Sequence, residues 1–161
     1  MKKPGRAKLS HFDAAGKATM VDVSAKQATR RTARATAFVE LSSAVLLALP
    51  QNPKGNPLEV ARVAGIQAAK KTSELIPMCH PLALTHVDVT AEMVEGGVRI
   101  SATAATVGAT GVEMEALTAA AVAALTVYDM TKGLDKGIVI RTVQLEAKTG
   151  GKSGDYLRGK S

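Results

Sequence analysis

One stretch constrains the fold more than any other. From Val112 to Lys132 the chain reads as a single long helix that is Ala, Leu and Val on nearly all sides. Glu113 and Glu115 sit in its first turn, where carboxylates suit the helix dipole, and Gly133 supplies the C-terminal stop. Its apolar run, Ala116 to Tyr128, is broken by Thr118 and Thr126 and is too short to span a bilayer. Such a helix must be buried on most faces. It is too apolar for a monomer of 161 residues, which points to burial against a second subunit. Aromatics make up only 2% of the chain, so the core around this helix must be aliphatic and packed with alanine. One cysteine excludes a disulfide framework and a multi-thiolate zinc site.

The elements before and after the helix follow from periodicity. From Arg34, the residues Ala35, Ala37, Val39 and Leu41 alternate with more polar positions, as in a strand. A short helix, Ala44–Leu49, ends at Pro50. Asn56, Pro57 and Glu59 then start a second helix, with Val60, Val63, Ala64 and Ala68 on its expected inner face. Gly65 inside that helix costs about 1 kcal/mol in propensity, which close approach of another backbone would explain. Val87–Met93 and Val98–Ala104 alternate around Glu95-Gly96-Gly97, an antiparallel hairpin. Ile138 to Leu145 reads as the last strand. The order predicts an α+β domain, an antiparallel sheet with helices on one face, and ferredoxin-like architecture. A basic arm (1–34), a single α+β domain (35–148) and a flexible Gly/Lys-rich tail (149–161) are the expected divisions of the chain.

The arm holds the charge. Residues 1–34 carry the whole net charge of +7, and the rest of the chain is balanced. The arm, with a short strand expected at Met20–Val23, is either simply solvated or meets an anion, a nucleic acid or a small phosphorylated ligand. No apolar run follows the basic start Met1-Lys2-Lys3-Pro4-Gly5-Arg6, so no signal peptide is expected and the chain reads as cytoplasmic. An RNA-binding module of this topology would stack bases on strand aromatics, and Phe38 is the only aromatic in an expected strand.

Several groups could carry chemistry. Gly150-Gly151-Lys152-Ser153 resembles the end of a P-loop but lacks its first glycine and its following helix, which excludes an ATPase reading. A looser phosphate role for its amides and lysine stays open. Cys79 and His80 are sequence neighbours in an extended segment and point to opposite sides, so they do not make a nucleophilic dyad. Cys79, His80 and His86 lack the spacing and number of metal ligands. Asp129 and Lys132 share a helix face, either as a surface ion pair or as a proton donor and acceptor with the lysine pKa lowered by desolvation. Lys26, Arg30, Arg31 and Arg34 form a basic cluster, and Lys54 lies in a glycine loop.

Together, Met20-Val21-Asp22-Val23-Ser24, Ala64-Gly65-Ile66-Gln67-Ala68-Ala69-Lys70, Leu75-Ile76-Pro77-Met78-Cys79-His80-Pro81-Leu82, Gly111-Val112-Glu113-Met114-Glu115-Ala116-Leu117, Tyr128-Asp129-Met130 and Gly150-Gly151-Lys152-Ser153-Gly154-Asp155 resemble the MoaC family from about Leu9 to Tyr156. The resemblance implies a lyase of molybdenum cofactor biosynthesis. It would convert 3′,8-cyclo-7,8-dihydro-GTP to cyclic pyranopterin monophosphate and release pyrophosphate. It also implies a homohexamer, a trimer of dimers with sites at dimer interfaces, and no membrane or nucleic-acid partner. No cofactor is implied; Mg²⁺ carried in with the triphosphate is compatible but not demanded. By the same resemblance Asp129 and Lys132 are the acid/base pair and Lys54 a catalytic or phosphate-gripping lysine. Arg31 and His80 hold the triphosphate. Glu113, Met114 and Glu115 face the guanine-derived ring, Met78 and Cys79 belong to the pocket wall, and Lys148 and Lys152 are tail positions closing over substrate. A different pterin or nucleotide enzyme on the same scaffold is the alternative.

Overall fold

A computed structural model describes residues 12, 13 and 15–159; the basic start at residues 1–6 lies outside them. The central strand is β1 (Thr29–Glu40). It is followed by α1 (Ser43–Ala48), a 3₁₀ turn at Leu49–Gln51, α2 (Pro57–Lys70), the short α3 (Thr72–Leu75), the hairpin β2 (Leu84–Val94) and β3 (Gly97–Gly108), α4 (Glu113–Thr131), β4 (Val139–Thr149) and β5 (Tyr156–Leu157). The strands form one antiparallel sheet in the order β2-β3-β1-β4-β5. The first four make the ferredoxin-like arrangement expected from the sequence.

The alternation of β1 decides where the core lies. Ala33, Ala35, Ala37 and Val39 are buried on the helix side, while Arg34, Thr36, Phe38 and Glu40 face the other way. α4 lies over them through Ala116, Ala119, Ala120, Ala123, Ala124 and Val127, all fully or almost fully buried. Small side chains on both layers let the helix settle close to the sheet. Ile100, Val89, Val98 and Leu49 fill the remaining volume, so truncating Ile100 to Ala would cost about 2–5 kcal/mol.

Three sequence expectations need correction. The inner face of α2 is Ala61, Gly65, Ala68 and Ala69, whereas Val60 and Val63 are exposed. The reason is close packing: a Cβ on Gly65 would stand 2.9 Å from the Ala119 carbonyl oxygen and 3.2 Å from the Val89 methyls. The glycine is the close-approach point its propensity cost suggested. In addition, β1 begins at Thr29, inside the segment assigned to the arm, because Thr29–Ala33 continue the register opposite Gly108–Ala104.

Before β1, no strand forms at Met20–Val23; Phe12 and Ala18 make an isolated bridge instead. At the other end, the described part of the tail is tied to the sheet. Tyr156 and Leu157 pair with Lys148 and Ala147, and Arg158 Nε donates to the Leu145 carbonyl at 2.8 Å. Arg34 of the expected basic cluster lies on the open sheet face near Glu146, whose carboxyl is held low chiefly by the Thr36 hydroxyl at 2.6 Å. No helix of the described residues is long and apolar enough to cross a membrane.

Candidate functional site

The start of β1, the β3–α4 turn and the β4–β5 loop converge at the N-terminus of α4. Arg31 leaves β1 on the helix side but beyond the end of the helix layer. There its guanidinium donates from Nε to the Gly108 carbonyl at 2.9 Å and from Nη2 to that of Ala109 at 3.2 Å. Nη1 faces Gly151. A Cβ on Gly151 would collide with Nη1, and one on Gly150 would collide with the Arg30 carbonyl. Both glycines also hold positive φ (84° and 81°), a conformation L side chains rarely adopt. Asp155 receives the Gly150 amide at 3.0 Å and closes the loop.

The result is a cavity of about 620 Å³ lined by Lys26, Arg31, Lys148 and Lys152, with Thr29, Thr110 and Ser153 between them. Lys148 is held by the Ser153 hydroxyl at 2.6 Å and stands 3.4 Å from the Glu113 carboxylate. Four cations at the positive end of a helix, with the Glu113 carboxylate beside one of them, suit the charge of an anion.

A second lobe of about 300 Å³ adjoins it, sharing Lys26, Thr110, Gly111 and Glu113. Its walls are Val21, Val23, Met78, Cys79, His80, Leu82, Met114 and Glu115. Glu115 is 3% exposed, and burial, then the charge of Glu113, push its carboxyl pKa up. Among the described residues no side chain hydrogen-bonds its carboxyl group. Burial and the neighbouring Glu115 likewise raise the Cys79 thiol, which suits a wall and not a nucleophile. Asp22, held low chiefly by bonds from Ser24, lies between Val21 and Val23 of that wall. The arm thus reaches this lobe.

The structure therefore brings Arg31, Met78, Cys79, His80, Glu113, Met114, Glu115, Lys148 and Lys152 to one cleft. It does not bring Lys54, Asp129 or Lys132 there. They lie at the other end of α4, sixteen residues beyond Glu113, about 24 Å of helix rise. Lys132 Nζ is 2.7 Å from Asp129 Oδ1. Both side chains are more than half exposed, so of the two alternatives the geometry is that of the surface ion pair and not of the desolvated lysine: its bond to Asp129 raises the Lys132 pKa. Asp129 is held low by that bond and charge, with Lys54 adding to the effect. Lys26 is the residue whose place the sequence left open. Its membership in the arm's basic cluster was the available signal, but Arg34 in the same cluster points away, and only the start of β1 separates the two.

The chain is similar to known proteins over most of its length. A protein of Streptomyces avermitilis named cyclic pyranopterin monophosphate synthase is 53% identical over 157 residues, covering 96% of this chain and 92% of its own. A Parvibaculum lavamentivorans protein of the same name is 53% identical over 153 residues, covering 92% and 96%. One from Streptomyces griseus is 54% identical over 153 residues, covering 94% and 86%. The MoaC family pattern matches residues 20–151, which include all of β1 to β4 and both ends of α4. The chain belongs to the MoaC family.

Proposed function

We infer that this chain catalyses the reaction its relatives are named for, forming cyclic pyranopterin monophosphate in molybdenum cofactor biosynthesis. It is a lyase: 3′,8-cyclo-7,8-dihydro-GTP enters, and the cyclic monophosphate and pyrophosphate leave. The observation that carries this reading is the joined cleft, a cationic lobe continuous with a carboxylate-lined one. A triphosphate fits the first through Lys26, Arg31, Lys148 and Lys152. The purine-derived ring fits the second, with its N–H edge toward Glu113 and Glu115.

The chemistry needs proton transfers and charge stabilisation. Closing the cyclic phosphate joins a sugar oxygen to the phosphorus nearest the ribose. The bond from that phosphorus to the bridging oxygen breaks, the electron pair leaves with pyrophosphate, and the hydroxyl proton passes to a base. Clamped cations stabilise the charge on the leaving group. The Asp129–Lys132 pair with Lys54 serves ring opening and reclosure. In this reading the pair reaches the cleft from a neighbouring subunit, since one α4 holds the two groups about 24 Å apart. We assign the chain to a homohexamer, a trimer of dimers. Exposed Leu125 on α4, with Val60 and Val63 on α2, supports such burial. Charge neutralisation falls to side chains, so turnover should survive a chelator. The enzyme is placed in the cytoplasm, with its nucleotide-derived substrate.

The deciding experiment is turnover of enzymatically prepared 3′,8-cyclo-7,8-dihydro-GTP, following pyrophosphate and the oxidised, fluorescent pterin. Appearance of both supports the assignment. Untouched substrate, under conditions where an established synthase works, overturns it.

A further inference from the structure

We propose that Asn52 is a positioning residue, docking the loop that carries Lys54 onto the C-terminal end of α4 and so holding Lys54 against the Asp129–Lys132 pair. The proposal rests on the catalytic reading of those three residues given above.

The geometry is specific to an amide. Asn52 Nδ2 donates to the Met130 carbonyl at 2.9 Å, and Oδ1 accepts from the Lys54 amide at 2.9 Å. The main chain closes the same turn, with the Gly55 amide donating to the Asn52 carbonyl at 3.0 Å and the Asn52 amide to that of Leu49 at 3.2 Å. Met130 carries one of the carbonyls a helix end leaves without an intrahelical partner, and it directly follows Asp129 in the chain. Asn52 is half-buried, while Lys54 is exposed. The far end of the loop is fixed separately, by Asn56 capping α2 through the Leu58 and Glu59 amides. The loop is therefore pinned to α2 by one asparagine and to α4 by the other. Among the described side-chain hydrogen bonds, only Asn52's joins it to α4. The charge of Lys54 adds, as the smallest contribution, to what holds the Asp129 carboxyl low.

The side chain must donate in one direction and accept in the other within a short reach. An aspartate at 52 would keep the turn, because it still accepts from the Lys54 amide, but it would set a carboxylate against the Met130 carbonyl. Asn52→Asp thus separates docking from turn formation. Asn52→Ala removes both.

The test uses the full-length enzyme and two readouts. In turnover, both variants should lower kcat by roughly tenfold or more, as misplaced catalytic groups do, with KM within about threefold. In amine labelling with an N-hydroxysuccinimide ester, read by peptide mass spectrometry, Lys54 should react several-fold faster in either variant than in wild type. Lys152 should keep its rate. A folded Asn52→Asp enzyme with wild-type kcat overturns the proposal. So does a fall in kcat with unchanged Lys54 labelling, because the loss then does not come from moving Lys54. If wild type itself does not turn over, the functional assignment fails, and labelling alone decides whether Asn52 positions Lys54.

Discussion

Arg31 donates from Nε to the carbonyl of Gly108 at 2.9 Å, two residues beyond its register partner Thr106. That bond, with the second one to Ala109, orients the guanidinium so that its remaining edge faces the Gly150–Gly151 loop. A lysine has the charge but not the fork. Arg31→Lys should therefore raise KM for the triphosphate substrate by about ten- to a hundredfold, the worth of one or two charged hydrogen bonds, with a smaller change in kcat. Steady-state pyrophosphate release measures both. An unchanged KM would mean that the anion is held elsewhere.

Gly151→Ala should act on the same lobe through the backbone. The substitution strains a positive φ and drives a methyl into Nη1 of Arg31. Inhibition by added pyrophosphate should weaken by roughly tenfold, in line with about 1–2 kcal/mol of strain and lost orientation. Calorimetric titration with pyrophosphate reads this directly, without turnover.

Lys132→Ala should abolish detectable turnover, or reduce kcat by at least about a hundredfold, as loss of a general acid or base does. The melting temperature should hardly move, because the pair is exposed. The pH dependence of the pair has a definite sign. Asp129 is depressed, so its contribution is present above about pH 4 and is lost as pH falls through its folded value. Lys132 is raised, so its contribution is present below about pH 10 and is lost as pH rises through its folded value. Between pH 6 and 8 the ion pair in the free subunit should not titrate, which carbon-detected NMR of the Asp129 carboxyl and Lys132 side chain can follow.

Glu115 should show activity and stability pulling apart. Its folded pKa is raised by burial, so the carboxyl adds its full stability below about pH 4.3, and this is lost as pH rises through the folded value. Glu115→Gln should melt higher than wild type at neutral pH, and the gap should close by about pH 4. The same variant should lose turnover. Thermal melts across pH, set beside the turnover assay, would expose a structural carboxylate if activity survived.

Mixing inactive chains tests whether the two ends of α4 serve different subunits. Arg31→Ala and Lys132→Ala are each inactive in this reading. If they are denatured and refolded together, dimers containing one of each rebuild one intact site out of two, giving about a quarter of wild-type activity for random pairing across a two-fold interface. A mixture no more active than its components would place both groups in one subunit.

Much of this was visible in the residues before the fold. The apolar run between Glu113 and Lys132 and the cost of Gly65 pointed to a closely packed helix, and both follow from local chemistry that tertiary context did not override. The inner face of α2 was misjudged because Val60 and Val63 outweigh alanine on any hydrophobicity scale, while the packing selects small residues. The start of β1 was hidden because its first turns out to be strand that lines a cleft, where inward positions are polar, such as Arg31. The pairing of Asn52 with Met130 spans 78 positions of sequence and leaves no periodic trace.

The alanine interface between α4 and β1 carries an evolutionary consequence. A core of large side chains can drift by trading volume between neighbours, one shrinking as another grows. Here Ala35, Ala120 and Ala123 have almost nothing to surrender, and all three are wholly buried. Enlarging one of them to valine would cost about 1–3 kcal/mol by overpacking, and reducing a helical one to glycine about 1 kcal/mol. Neutral change in this scaffold is therefore steered away from its centre and toward the surfaces of α1, α2 and the open sheet face.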